Sequence, residues 1–191
     1  INTMKDAIRI ATSAKWLGQH IQGTEHSFSM EVRRGAGAYI CGEETSMLDS
    51  LEGKRGMVRP KPPIPALQGL FGKPTIINNV LSFAAVPYIL AEGGEAYKNY
   101  GMGRSRGTLP FQLAGNIKQG GLVEKAFGIT LRQLIEDFGG GTATGRPLRA
   151  VQVGGPLGSY IPVSQLDMPM DYETFAAAAA MVGHGGVVVF D

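Results

Sequence analysis

The spacing of apolar residues changes from helical to alternating within the first part of the chain. Residues 3–17 carry apolar side chains on one side at near-helical spacing, which predicts an amphipathic helix ended by Gly18. Phe28, Met30 and Val32 then alternate with polar residues and predict a strand. A glycine-rich turn and a short helix follow, so the expected local order is strand, turn and helix.

A second pattern, of two strands, a helix and two more strands, occupies the later part of the chain. The strands are predicted over residues 108–115, 122–127, 148–153 and 160–163. Thr130 and Gln133 have the spacing of a capping box, which predicts a helix between the second and third strands. This ββαββ order is typical of a small β-grasp domain. An alanine-rich helix and a valine-rich final strand are predicted after it.

Between these patterns lies a proline-rich stretch. Pro fixes φ and removes hydrogen-bond donors, so residues 53–75 are predicted to form an extended, ordered loop. Residues 76–80 predict a short strand that ends in an Asn pair, followed by a helix to about residue 90. Asp49 and Glu52, on the short helix before the loop, are expected to be solvated.

The composition limits the class of protein. With 43% hydrophobic and 18% charged residues among 191, the chain is expected to be globular. A formal net charge of +2 gives no indication of a nucleic-acid or membrane partner, and no apolar run approaches the roughly 18 residues of a membrane helix. The single cysteine, Cys41, excludes a disulfide within the chain and is expected to be a small buried apolar residue.

The glycine-rich turn is the strongest candidate for chemistry. Gly37 and Gly42 have P-loop spacing, but Glu43 and Glu44 stand where a P-loop needs Lys and Ser or Thr, so a triphosphate site is not expected. The Rossmann fingerprint is also incomplete, because its third glycine is missing. Two interpretations stay open from local features. The carboxylates complement the helix dipole, or the glycines admit a ring or ribose whose hydroxyls the carboxylates bind, with Tyr39 against the ring.

Four stretches carry a family resemblance: Gly35–Thr45, Ser50–Gly56, Lys61–Pro63 and Gly72–Val80. Together they resemble the flavoprotein subunit of NADH dehydrogenases, the 51 kDa-type subunit of respiratory complex I. The beta subunits of NAD-linked hydrogenases and formate dehydrogenases are similar to it. The later stretches Arg104–Asn116 and Gly183–Gly186 resemble the formate dehydrogenase branch most. The resemblance favours the cofactor interpretation of the glycine-rich turn.

The resemblance implies an α/β fold in three parts. Residues 1–106 would form part of a Rossmann-like FMN-binding domain, and residues 107–166 a β-grasp domain of the soluble-ligand-binding, ubiquitin-like type. Residues 167–191 would be a helix and a strand leading towards an iron–sulfur domain. The family's FMN-phosphate loop would precede residue 1 and its cluster cysteines would follow residue 191. The chain is therefore expected to be a piece of a longer subunit and inactive in isolation.

The activity implied is hydride transfer between NAD(H) and FMN, with electrons passed on to iron–sulfur clusters. FMN and NAD are the expected cofactors; a 4Fe–4S cluster is expected in the parent subunit but not in this chain, since one cysteine cannot supply four ligands. The implied enzyme is most like the beta subunit of a cytoplasmic NAD-dependent formate dehydrogenase. The alternatives are the NADH-oxidising subunit of complex I or an NAD-linked hydrogenase, and, as a non-enzyme, a β-grasp ligand-binding or interaction module. The expected partners are other dehydrogenase subunits.

The resemblance also implies residues that bind FMN. Gly42 and Glu43 in the turn, and Asn78 and Asn79 after the loop, would contact the flavin nucleotide. An Asn side chain both donates and accepts hydrogen bonds, which suits a ribityl chain or a phosphate. Ile77 belongs to the same motif as the Asn pair.

A second set of residues would bind the dinucleotide. Glu44 would face the nicotinamide nucleotide, and Tyr39 belongs to the same motif. Lys61 either reaches the pyrophosphate or is a solvated loop residue. The family usually has an aromatic residue after the two prolines, where it can stack on adenine, and here Ile64 takes that position.

Overall fold

Helices and turns form the first of two compact units. The computed structural model describes all 191 residues, which divide into Ile1–Asn78 and Asn79–Asp191. The first unit holds two helices, α1 (Asn2–Ser13) and α2 (Glu44–Leu51). It also holds three short 3-10 turns: Ile21–Gly23, Tyr39–Gly42 and Leu70–Gly72.

The two strands predicted at residues 28–32 and 76–80 are wrong. A strand needs a neighbour to share its backbone hydrogen bonds, and the first unit offers one isolated bridge, between Gly18 and Phe28. Phe28 and Met30 are 62% and 47% exposed, so the alternating side chains have no core to pack on. Helix α1 also ends before residue 17, since Lys15 adopts a positive φ of 59°. The first unit therefore does not display the sheet of a Rossmann-like domain.

A five-stranded mixed sheet organises the second unit. The strands are β1 (Gly101–Met102), β2 (Ser105–Arg106), β3 (Thr108–Gly115), β4 (Gly121–Ala126), β5 (Ala150–Val153), β6 (Ser159–Pro162) and β7 (Gly186–Phe190). β1 and β2 pair as a separate antiparallel ribbon. The other five lie in the order β4-β3-β7-β5-β6. β7 is parallel to β3, and the remaining neighbours are antiparallel.

Alternation of side chains explains why these strands form. On β3, Leu109, Phe111 and Leu113 are at most 4% exposed, and the residues between them point away from the core. The same alternation buries Val151 and Val153 on β5. The predicted strands of this half are confirmed, each within two residues of its predicted bounds.

The helices of the second unit are α3 (Val80–Glu92), α4 (Gly94–Lys98), α5 (Leu131–Gln133) and α6 (Tyr172–Ala177). The chain after α5 continues as one wider π-type turn, Leu134–Phe138, which Gly139 ends as predicted. Leu131 and Leu134 on this segment and Phe175 on α6 are fully buried in the core of the sheet. The core of the second unit therefore lies between the sheet and these short helices.

The predicted domain bounds at residues 106 and 166 both fall inside the second compact unit. The unit begins at Asn79, so α3 and α4 belong with the sheet. Strand β7, expected to lead out of the β-grasp domain, instead pairs with β3 on one side and β5 on the other. As boundaries between functional domains the predicted bounds stay predictions.

Thr130→Ala should destabilise the second unit by about 1 kcal/mol, the usual cost of losing an N-cap. The Thr130 hydroxyl accepts from the Gln133 amide N–H at 3.1 Å, and the Gln133 side chain accepts from the Thr130 N–H at 3.0 Å, which confirms the predicted capping box. Urea unfolding measures the change. Thr3→Ala, at an exposed helix position, is the control; equal midpoints for the two variants would contradict the prediction.

Candidate functional site

The glycines near helix α2 differ in how much space lies beside their backbone. Gly56 and Gly69 are tightly packed: a Cβ added to Gly56 would lie 2.5 Å from the Cys41 sulfur, and one added to Gly69 would collide with Thr75. Gly42 is different. Its φ is not positive, it is exposed, and a Cβ added there would meet nothing within 4 Å. Nothing within the chain requires a glycine at position 42, so the free space beside its backbone is available to a ligand.

Glu43 is the N-cap of α2. One carboxylate oxygen, Oε2, accepts from the Thr45 N–H (2.9 Å), the Ser46 N–H (2.8 Å) and the Thr45 hydroxyl (2.6 Å). The pKa of Glu43 is lowered from 4.5 to about 2, mainly by the hydrogen bond from the Thr45 hydroxyl and next by the hydrogen bond from the Ser46 N–H. Ionised Glu43 therefore stabilises the helix above pH 4.5, and this contribution is lost as the pH falls towards 2. The other oxygen, Oε1, has no hydrogen-bond partner within the chain.

Glu44 and Lys61 form an ion pair, although 17 residues separate them. Their side chains are 39% and 42% exposed, so the pair stands at the surface. The hydrogen bond with Glu44, with a smaller contribution from the charge of Glu43, raises the pKa of Lys61. Lys61 thus lies within the field of both carboxylates of the turn, and the structure brings together three of the residues predicted as a site.

Arg59, which is not among the predicted site residues, anchors the proline-rich loop to α2. Its guanidinium lies against Asp49 (2.6 Å) and Glu52 (2.9 Å), whose side chains are only 15% and 6% exposed. The prediction that these two carboxylates are solvated is therefore wrong, because it considered the helix without the loop that covers it. The three-residue spacing of Asp49 and Glu52, which places both on one helix face, was the signal for an arginine partner.

The remaining predicted residues lie apart from this cluster or make other contacts. Tyr39 is 58% exposed at the start of its turn. Ile77 is half-buried and Asn78 exposed at the end of the first unit. Asn79 belongs to the second unit, where its side chain caps α3 by accepting from the Leu81 N–H at 2.9 Å. No contact joins Tyr39, Ile77 or Asn78 to the carboxylates, and their predicted roles stay predictions.

Comparison with known proteins reveals a family match over the first half and relatives over the whole chain. Residues 1–88 match the Nuo51 FMN-binding domain. The NADP-reducing hydrogenase subunit HndC of Solidesulfovibrio fructosivorans is 45% identical over 191 residues, which are all of this chain and 39% of the relative. A subunit of the Escherichia coli NADH-quinone oxidoreductase is 43% identical over 180 residues, 94% of this chain and 40% of the relative.

The fold has a solved counterpart in an NAD+-reducing NiFe hydrogenase. The two structures superpose with a TM-score of 0.76 at 34% identity, over 96% of this chain and 29% of the hydrogenase chain. The chain is similar over its whole length to the 51 kDa-type flavoprotein subunits. It spans about two fifths of the length of the curated relatives named above, 39% and 40%.

These matches confirm the resemblance stated from the sequence, together with FMN and NAD as the cofactors it implies. The relatives named above are an NADH-quinone oxidoreductase and hydrogenases. The finer assignment to formate dehydrogenases stays a prediction.

Other features of the chain are less informative about its chemistry. A groove of about 620 Å³ borders the loop, and Glu52, Arg59 and Phe71 are among its lining residues, but none of the predicted site residues is. No group of three His, Cys, Asp or Glu side chains is arranged to hold a metal ion. None of the helices combines the length and the apolar character that crossing a membrane requires.

Proposed function

We propose that this chain carries the NADH- and FMN-binding residues of an oxidoreductase subunit that transfers hydride between the two nucleotides. The observation that supports this most directly is the arrangement at the start of α2. Three features lie together there: the open backbone of Gly42, the fixed carboxylate of Glu43, and the ion pair of Glu44 with Lys61 from the neighbouring loop. In a chain whose residues 1–88 match an FMN-binding domain, these groups suit a planar ring and a charged dinucleotide.

The FMN side of the site would consist of Gly42 and Glu43, with Asn78 and Asn79. The residues present fit the group, since a Cβ at Gly42 would fill the space a ring needs and the chain leaves that space open. When bound, FMN supplies the N5 atom that accepts the hydride. Glu43 is held by three hydrogen bonds on one oxygen, so its free oxygen is pre-oriented to accept a hydrogen bond from the ligand.

The dinucleotide side would consist of Glu44 and Lys61, with Tyr39 close by in sequence. A Lys ammonium is a point charge that suits a pyrophosphate, and a carboxylate accepts from an amide or a ribose hydroxyl. In the free chain the two side chains neutralise each other. Binding would therefore exchange the Glu–Lys contact for contacts of each residue with the nucleotide.

The second unit supports a β-grasp domain in this proposal. In the order β4-β3-β7-β5-β6, the last strand, β7, lies between two hairpins and runs parallel to β3. With its own buried core, this unit would serve as a scaffold or as a contact for other subunits of a cytoplasmic dehydrogenase. We further propose that residues 1–78 contribute to a Rossmann-like domain of the full-length subunit. A formate dehydrogenase, an NADH-quinone oxidoreductase and an NAD-linked hydrogenase would each use these parts.

Glu44→Gln in the complete natural polypeptide should raise the KM for NADH about tenfold, as expected for one lost charge-assisted hydrogen bond. FMN content, read from the flavin absorbance, should stay unchanged. Steady-state reduction of an artificial acceptor by NADH measures the effect. Glu25→Gln, an exposed residue without an ion pair in the same unit, is the control; an unchanged KM for Glu44→Gln would refute the proposed dinucleotide site.

A further inference from the structure

We infer that Arg59 is a positioning residue: it places Lys61 for the dinucleotide and orients Glu43 on the FMN side, without touching either ligand. The inference rests on the proposed function and extends it to a residue outside the predicted site. Three independent connections carry it: the contacts of the guanidinium, the backbone N–H of Arg59, and the two-residue step from Arg59 to Lys61.

The guanidinium of Arg59 joins three segments of the first unit. It donates to Asp49 on α2 (Nε to Oδ1, 2.8 Å), to Glu52 just after α2 (Nη2 to Oε1, 2.9 Å), and to the carbonyl of Gly69 in the far part of the loop (3.1 Å). Only 26% of the Arg59 side chain is exposed. A planar fork with five donors can satisfy these three acceptors together, whereas an ammonium cannot do so with the same geometry.

Glu52 strengthens the connection from its own side. Besides Arg59, it accepts from the backbone N–H of Phe71 at 2.8 Å and from Lys54 at 2.7 Å. The hydrogen bond of Lys54, followed by that of Arg59, lowers the pKa of Glu52 to about 2. The acceptor is thus ionised at every pH where the chain is expected to work, and both ends of the loop are fixed to the same end of α2.

The backbone of Arg59 reaches Glu43 through one hydroxyl. Its N–H donates to the Thr45 Oγ1 at 2.9 Å, and Thr45, 2% exposed, donates its hydroxyl hydrogen to the Glu43 Oε2 at 2.6 Å. A hydroxyl has a single hydrogen, so accepting from Arg59 leaves that hydrogen aimed at the carboxylate. The position of Arg59 therefore helps to orient Glu43.

Lys61 follows Arg59 after a single proline and precedes two more, Pro62 and Pro63. Proline restricts φ to about −65°, so the backbone from residue 59 to residue 63 is stiff. Because Arg59 is anchored on α2, the stiff backbone holds Lys61 close to Glu44, with which it forms an ion pair. Without the anchor, the loop keeps its stiffness but loses the contacts that set its position on α2.

The test is a double-mutant cycle on the complete natural polypeptide with its FMN bound. Arg59→Gln should raise the KM for NADH about five- to tenfold with little change in kcat. In a Lys61→Gln background the same substitution should add less than about twofold, because Arg59 acts through Lys61. Arg55→Gln, an exposed arginine of the same loop with no ion pair, should leave the KM unchanged. Arg59→Lys, which keeps the charge but not the fork, should give an intermediate KM.

The possible outcomes separate this inference from the proposed function. An equal rise in KM from Arg59→Gln in both backgrounds would show a general structural role and overturn the inference. So would a wild-type KM for Arg59→Lys in a folded, flavin-loaded protein, which covers the case in which Arg59→Gln fails to fold. A raised KM for Lys61→Gln combined with no effect of Arg59→Gln would overturn the inference alone. An unchanged KM for Lys61→Gln would overturn the dinucleotide site and the inference with it.

Discussion

Replacing Gly42 by Val should leave the polypeptide folded and weaken FMN binding by at least about 100-fold, because the two γ-methyl groups would occupy the ligand's space. The chain itself tolerates the change, since φ at this position is not positive and a Cβ there meets no atom within 4 Å. The loss should therefore appear in the flavin absorbance of the purified complete polypeptide and not in its circular dichroism or unfolding midpoint.

Two other glycines make the Gly42→Val result interpretable. Gly94, in the second unit, has the same free space and no positive φ, so Gly94→Val should change neither flavin content nor fold. Gly56→Ala places a methyl group 2.5 Å from the Cys41 sulfur and should destabilise the first unit. Full flavin content in Gly42→Val would mean that the ring does not lie against this backbone, and the FMN assignment of the turn would be wrong.

The second unit could be predicted because its determinants are local or shared by neighbouring strands. Leu109 and Phe111 alternate with the less buried Pro110 and Gln112, and β3 has a neighbouring strand on each side. Phe28 and Met30 show the same alternation, yet no strand lies beside them and they stay exposed. An alternating pattern describes only the side chains of one segment, whereas a strand forms only when a neighbouring segment shares its backbone hydrogen bonds. The sequence pattern cannot supply that neighbour.

In the site, too, contacts within one element could be predicted and contacts between distant segments could not. Glu43 at the start of α2 is a local feature. Its Oε2 caps the helix by accepting from backbone N–H groups, a role related to the dipole interpretation. The pairs of Lys61 with Glu44, and of Arg59 with Asp49 and Glu52, depend on how a 23-residue proline-rich stretch, residues 53–75, folds back onto the helix. Residue types and spacing within one element do not reveal such a fold, so they leave two interpretations of Lys61 and do not identify Arg59 as its neighbour in the site.

Lys61→Glu should raise the KM for NADH about 100-fold, since a carboxylate in place of the ammonium adds a like charge facing an anionic pyrophosphate. The site already holds Glu43 and Glu44, and the hydrogen bond that Lys61 donates to Glu44, together with the charge of Glu43, raises the pKa of Lys61. Lys61 is thus the cation that balances two anions at the start of α2. Its reversal leaves three carboxylates together, and the KM should fall again as added salt screens their repulsion.

A charge swap decides whether Glu44 and Lys61 act on the nucleotide or only through their ion pair. The double variant Glu44→Lys with Lys61→Glu restores an ion pair between the two positions but leaves the cation on the helix instead of the loop. If the pair merely stabilises the loop, the swap should return the KM close to its original value. If the two residues themselves contact the nucleotide, the KM should stay high, which is the result we expect. Arg55→Glu, with the same change of charge on an exposed residue of the same loop, measures the contribution of net charge alone. An equal rise in KM for Arg55→Glu and Lys61→Glu would contradict a specific role for Lys61.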